Sequence, residues 1–255
     1  MLAHSQNLSE FYLKIIFMKR HNIILTSAIG LVFIFTAVGC KKNEPLPPPP
    51  DNGTVTDIDG NTYKTIKIGT QVWMAENLKT TRYRNGEAIQ LVIGEIGWSI
   101  LNTSKSPAYT YSEFAAANAT VFGHLYNWYA VNDSRNIAPA GWHIPSDAEW
   151  TTLIDYLGGK NTTTGNKLKA DTTWNSPNNG TNSSGFTALA GGAIGFDGRY
   201  LSAQNIGSFT TWWSATPAND PVNHTAFVRR IFFDASITAS ASLPNSGFSI
   251  RCVKD

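Results

Sequence analysis

The sequence predicts an α+β domain made of two helices, short antiparallel strands and long loops. Three observations lead there. Residues 62–68 alternate apolar and polar side chains, Gly69-Thr70 turns the chain, and residues 71–74 resume the alternation, which is a hairpin pattern. Ser146-Asp147-Ala148-Glu149 is a capping box, and Trp150, Leu153, Ile154 and Leu157 then recur at helical spacing. Strand-like runs at 209–215, 227–234 and 247–253 are separated by stretches rich in Asn, Thr, Ser and Gly, so helices are followed by strands rather than alternating with them.

At the N-terminal end, residues 1–17 fit poorly in front of a signal that opens at Met18, and they are read as a start-site artefact. Residues 18–39 have a basic opening (Lys19, Arg20), a short apolar core over 23–38, and small residues at the end. That is the make-up of a secretory signal. A membrane span needs about 20 predominantly apolar residues, and this run is shorter and includes Thr26, Ser27 and Thr36. Its end, Ala37-Val38-Gly39-Cys40, resembles a bacterial lipobox, with Ala37 where Leu is usual. The resemblance implies lipidation of Cys40, cleavage before it, and a membrane partner reached through that lipid. Residues 40–53 then form a lipidated, proline-rich linker. Pro45 and residues 47–50 favour extended polyproline geometry, which suits a stalk.

Residues 54–255 are read as one domain. After the hairpin, residues 77–86 are expected to be extended and polar, with Arg82 and Arg84 on one side. A helix over 123–131 would align Leu125, Trp128 and Tyr129. The capped helix stops at Gly158-Gly159. Residues 160–184 read as loop, and in the last strand Phe248, Ile250 and Cys252 alternate toward a core.

These residues also resemble a known family, the Fibrobacter succinogenes major paralogous domain. The resemblance rests on Asp59-Gly60-Asn61-Thr62-Tyr63, Gly69-Thr70-Gln71-Val72-Trp73-Met74, Glu76-Asn77-Leu78, Gly123-His124-Leu125-Tyr126-Asn127-Trp128, Gly141-Trp142-His143-Ile144-Pro145 and Gly247-Phe248-Ser249-Ile250-Arg251-Cys252. It implies an exported protein of the Bacteroidota and Fibrobacterota kind, often a lipoprotein, with no set biochemical activity. More distantly the skeleton resembles the C-type-lectin-like fold, in its formylglycine-generating-enzyme branch. That implies paired chain ends and a binding surface of long loops on a rigid base.

Composition narrows the function. Removing residues 1–40 takes away Lys14, Lys19, Arg20 and Glu10, which brings the formal net charge from +2 to 0. No basic patch stands out, so nucleic acid is not an expected partner. Formylglycine generation uses paired thiols with copper between them, but of the two cysteines Cys40 is committed to lipid. Cys252 alone reads as a small buried side chain. The sugar-binding tripeptides of calcium-dependent lectins are absent, and Asn132-Asp133 and Asn219-Asp220 are ordinary turn residues. His124, His143 and His224 lack zinc-ligand spacing, and the first two are expected as packed, hydrogen-bonded residues. Asp171, Asp197, Asp220 and Asp234 are not paired as a glycosidase requires, and no Gly-x-Ser-x-Gly elbow marks a serine nucleophile.

The chain is therefore read as a non-enzyme with no metal site and no cofactor. Its expected role is a cell-envelope, outer-membrane lipoprotein carrying a binding or adhesion domain for a glycan or protein ligand. A structural envelope protein without a specific ligand is the alternative, and an uncharacterised enzyme the third. The candidate ligand-binding residues are Trp174, Asn175, Tyr200, Trp212 and Arg229, because aromatic faces beside amide and guanidinium donors suit sugar or protein surfaces. Trp174, set among polar residues, is expected to be exposed, and Trp73, Trp128, Trp142, Trp150 and Trp213 are expected in the core. Asp171-Thr172-Thr173 also resembles a short O-glycosylation acceptor.

Overall fold

A computed structural model describes residues 53–202 and 205–255. The signal peptide, Cys40 and all but the last residue of the proline linker lie outside the described residues.

The domain is α+β, with three small sheets. In the first, β1 (Thr54–Thr56), β2 (Thr62–Ile68) and β3 (Gln71–Met74) run in order, followed by β11 (Val253–Lys254) and β7 (Trp142–His143), all antiparallel. The β2–β3 hairpin turns at Gly69-Thr70 as the alternation requires, pairing Ile68 with Gln71. The second sheet is β10 (Ile237–Ser242), β9 (Ala226–Phe232) and β8 (Phe209–Pro217), also antiparallel. The third is β4 (Gln90–Leu91), β5 (Ala108–Tyr111) and β6 (His124–Tyr126), and here β4 and β5 run parallel.

Among the described residues, six α-helical segments fill the connections: α1 (Glu95–Ser99), α2 (Leu101–Ser104), α3 (Ala119–Phe122), α4 (Trp128–Val131), α5 (Asp147–Tyr156) and α6 (Thr162–Leu168). Only α5 reaches ten residues. It begins with the capping box: Glu149 N donates to Ser146 Oγ at 3.2 Å, and Ser146 N donates to Glu149 Oε2 at 2.8 Å. Two expectations are corrected. The helix over 123–131 is instead strand β6 followed by the single turn α4, which the Asn127 side chain caps by accepting from Ala130 N. Residues 160–184 are not all loop, because Asn161 caps α6 in the same way, accepting from Thr164 N at 2.9 Å. In both, an Asn side chain that accepts from a free N–H sets where the helix starts, while residues 124–126 are held extended by pairing with 109–111.

The segment 247–253 ties the sheets together. Phe248 bridges Tyr126 of β6, Ser249 bridges Trp212 of β8, Gly247 bridges Ile194, and Val253 pairs with both Trp73 and His143. Phe248, Ile250 and Cys252 face the core as expected, yet Ser249 and Arg251 on the other side are buried too. One apolar cluster gathers Tyr63, Met74, Tyr126, Trp142, Trp213, Phe248 and Cys252 around this segment. A second holds Trp73, Trp150, Leu153, Phe186 and Trp212 between α5 and the sheets, and a third surrounds Trp98. The five tryptophans assigned to the core are all buried, and burial pushes the Cys252 thiol pKa up, so it is an inert packing residue.

Candidate functional site

The site rests on a polar knot. Arg251 is fully buried and donates from Nε and Nη2 to Asn77 Oδ1 at 3.2 and 2.8 Å, and from Nη1 to the Phe186 carbonyl. Asn77 also accepts from Trp212 Nε1 at 2.9 Å and donates to the Phe122 carbonyl at 2.8 Å. The guanidinium lies 4.2 Å from the Phe186 ring centroid. Gly123 (φ +75°) lets the backbone pass this knot, since a Cβ there would lie 2.8 Å from Asn77 Cβ. The knot fixes residues 77–82 against α3 and β6, and an open cleft forms above that junction.

This first cleft has a volume of about 550 Å³ and is lined by Asp59, Asn61, Lys79, Thr81, Arg82 and His124, among others. Its floor is set by Asp57, which accepts from Asp59 N and Asn61 N at 2.9 Å each and from Tyr63 OH at 2.5 Å. Asp59 then accepts from Thr81 Oγ1 at 2.9 Å, Thr80 Oγ1 at 3.1 Å and Arg82 Nε at 2.6 Å. Burial opposes the charged form of Asp59, but the bonds from Thr81, Thr80 and Arg82 outweigh it and hold the carboxyl below its ordinary range. His124 is stacked on Tyr109 at 4.8 Å, and burial drives its pKa down to about 4, so it is neutral near pH 7. Asp59 is engaged by donors and His124 is a weak base. What the cleft offers a ligand is donors: Lys79, the outer edge of Arg82 and the second amide N–H of Asn61.

A second cleft, of about 370 Å³, lies over β9 and the end of β10, with Arg230 in its wall and Phe196 and Leu201 at its rim. Tyr200 stands beside that rim, exposed, its ring 6.0 Å from Phe114.

Of the five candidate ligand-binding residues, only Tyr200 is exposed. Asn175 is half-buried and fastened, its N–H donating to Gly207 O at 2.9 Å and its Nδ2 to Ser208 Oγ at 3.2 Å. Trp174, expected at the surface, is buried, and this is a correction. Its indole N–H donates to Ala188 O at 2.9 Å, 14 residues away, and its ring faces Lys169 Nζ at 4.6 Å, and together these hold it inward. Trp212 is buried in the knot. Arg229 is buried as well, its Nη1 paired with Asp147 Oδ1 at 2.5 Å and its Nη2 donating to Thr151 Oγ1 at 3.1 Å, which joins β9 to the first turn of α5. The five do not form one surface. The alternation of β9 signals that Arg229 and Arg230 point oppositely, and it is Arg230 that reaches a cleft. His143 departs from the packed role expected of it: it is part-exposed and bridges Asp255 Oδ1 at 2.6 Å and Glu149 Oε1 at 2.7 Å.

Among the described residues no histidine is hydrogen-bonded to a Ser, Thr or Cys side chain. No group of three His, Cys, Asp or Glu is placed to hold a metal ion among those residues. No helix among them is long and apolar enough to cross a membrane.

Fold and clefts together describe an α+β domain with polar, open concavities. Its sequence matches that of the Fibrobacter succinogenes major domain over residues 66–254, and the chain belongs to that family. No curated protein and no solved structure matches it.

Proposed function

We propose that the chain is a lipid-anchored cell-envelope protein, held at the outer membrane through Cys40, whose domain is a non-catalytic binding or adhesion module for a glycan or protein. The observation that favours binding over chemistry is the first cleft. Asn61 is held by Asp57, Arg82 by Asp59 and Lys79 by Glu76 before any ligand arrives, the histidine is neutral and the Asp59 carboxylate is saturated with bonds. Preorganised donors lower the cost of binding, whereas general acid–base work needs a group that titrates near the working pH. The pairing of the first hairpin with β11 supports, as part of the same proposal, a C-type-lectin-like arrangement that presents loops on a rigid base. The anchor rests on the sequence over residues 18–40.

A glycan array and an affinity pull-down with the full chain test the binding role. Specific capture that Arg82→Ala weakens, without a change in urea midpoint, is the expected result, and blank results in both would refute it. Metabolic labelling with a fatty-acid analogue tests the anchor: label should enter the protein and be lost in Cys40→Ala.

A further inference from the structure

The second cleft contains a cation without a counter-charge. Arg230 lies on β9 opposite Thr211 of β8 and Thr238 of β10. Its Nε donates to Thr211 Oγ1 at 2.8 Å, and its guanidinium carbon sits 5.4 and 5.8 Å from the ring centroids of Phe209 and Phe232. No carboxylate forms an ion pair with it among the described residues, although Arg82, Arg135 and Arg229 each have one. Its terminal nitrogens have no hydrogen-bond partner among those residues, and Arg230 lines the cleft. Burial lowers the Arg230 pKa, which is the mark of a charge stripped of part of its hydration. Two parallel N–H groups held at a fixed angle suit a carboxylate, which they can grip as a bidentate pair.

The walls limit what is attached to that carboxylate. Phe196 and Leu201 leave about half of their surface exposed at the rim. Hydroxyls of Thr225 and Ser242 stand on the other side, with Ser242 Oγ 3.3 Å from Ser246 Oγ. We propose that this cleft binds an acidic sugar residue of the uronic-acid class, the carboxylate on Arg230, ring hydroxyls on Ser242 and Thr225, and the C–H face of the ring against Phe196 and Leu201. Ser242 Oγ donates to Ser246 and Thr225 Oγ1 to Asp220, so each keeps a lone pair to accept from a ring hydroxyl, which an alkyl carboxylate lacks, and a neutral sugar leaves Arg230 without an anion. The assignment rests on reading the domain as a binding module, and it adds a ligand class and a site to that reading.

Isothermal titration of the full chain in detergent tests it, with trigalacturonate as probe and trigalactose, propionate and a tetraglutamate peptide as controls. Trigalacturonate should bind roughly tenfold or more tightly than each control, and Arg230→Gln should remove that advantage. Because Arg230 packs on two phenylalanines, its replacement can disturb the sheet. Leu201→Glu is the second variant: it sets a negative charge at the exposed rim and should weaken trigalacturonate by a similar factor at an unchanged urea midpoint. No binding of trigalacturonate, equal binding of propionate or tetraglutamate, or undiminished binding by Leu201→Glu would each overturn the assignment. A glycan or protein captured elsewhere on the domain, with trigalacturonate failing, sinks this site and leaves the binding module standing.

Discussion

Replacing Asn77 by Ala should cost more stability than its size suggests. The side chain accepts from Trp212 Nε1 and twice from Arg251, and it donates to Phe122 O and to Ser249 Oγ. All of these groups are buried, so water cannot replace what is removed. Trp212 Nε1 and Arg251 Nε are left with no acceptor, while Arg251 Nη2 keeps only Thr187 O at 3.4 Å. An orphaned buried donor costs about 1–3 kcal/mol, and more when it is charged. Allowing for partial relaxation, Asn77→Ala should destabilise the protein by about 4 kcal/mol. Arg251→Met removes the buried charge itself and strands only carbonyls, so it should cost about 2 kcal/mol or less. In the double variant the charge that needed Asn77 is gone, and stability should recover relative to Asn77→Ala alone. Urea unfolding followed by tryptophan fluorescence measures all three, read as midpoints at an unchanged denaturant slope. A loss below about 1 kcal/mol for Asn77→Ala, or strictly additive losses in the double variant, would refute the idea that Arg251 depends on Asn77.

Burial and charge lead to two further outcomes. Trp174→Ala should destabilise by about 3–5 kcal/mol, whereas Tyr200→Ala, at an exposed ring, should cost under about 1 kcal/mol; thermal melts of both variants check the ranking. His143 gives a pH signature. Burial by itself lowers its pKa, but the bonds to Asp255 and Glu149 outweigh that and raise it. The folded state therefore holds the proton more tightly than the unfolded chain. The stabilisation is full below the unfolded pKa, about 6.5, and disappears as pH rises through the folded value above it. With the side chain 37% exposed, solvent screening keeps the effect under about 1 kcal/mol. Urea midpoints should fall slightly on raising the pH through that window, and His143→Gln should flatten the change.

Much of the fold was legible wherever the information was local. The β2–β3 hairpin follows from strict alternation around Gly69-Thr70, and α5 starts at Ser146 because its capping box lies within four residues. The strand at 124–126 was hidden because three buried residues in a row have no period, and their extended form comes from pairing with residues 109–111 and 248. Exposure was harder to read than secondary structure. Trp174 sits among Asp171, Thr172, Thr173 and Asn175, and nothing nearby announces that the Ala188 carbonyl will take its N–H. The two clefts lie in the same blind spot. Asp59 and Arg82 are 23 residues apart, and Arg230 meets Phe196 and Leu201 only after the chain has folded back. The β9 alternation separates Arg229 from Arg230, but which face would find Asp147 depended on where α5 docks.

The segment 247–253 also sets the order of events in time. Because it inserts between β3 and β7 and bridges β6, β8 and Ile194, the first sheet is incomplete and the other two are not tied to it until it arrives. The β2–β3 hairpin is local and can form early, but the core closes only when residues 247–253 join it. Contacts that span so much sequence make folding slow and late. Local pieces thus form first, and the core closes around this one segment last.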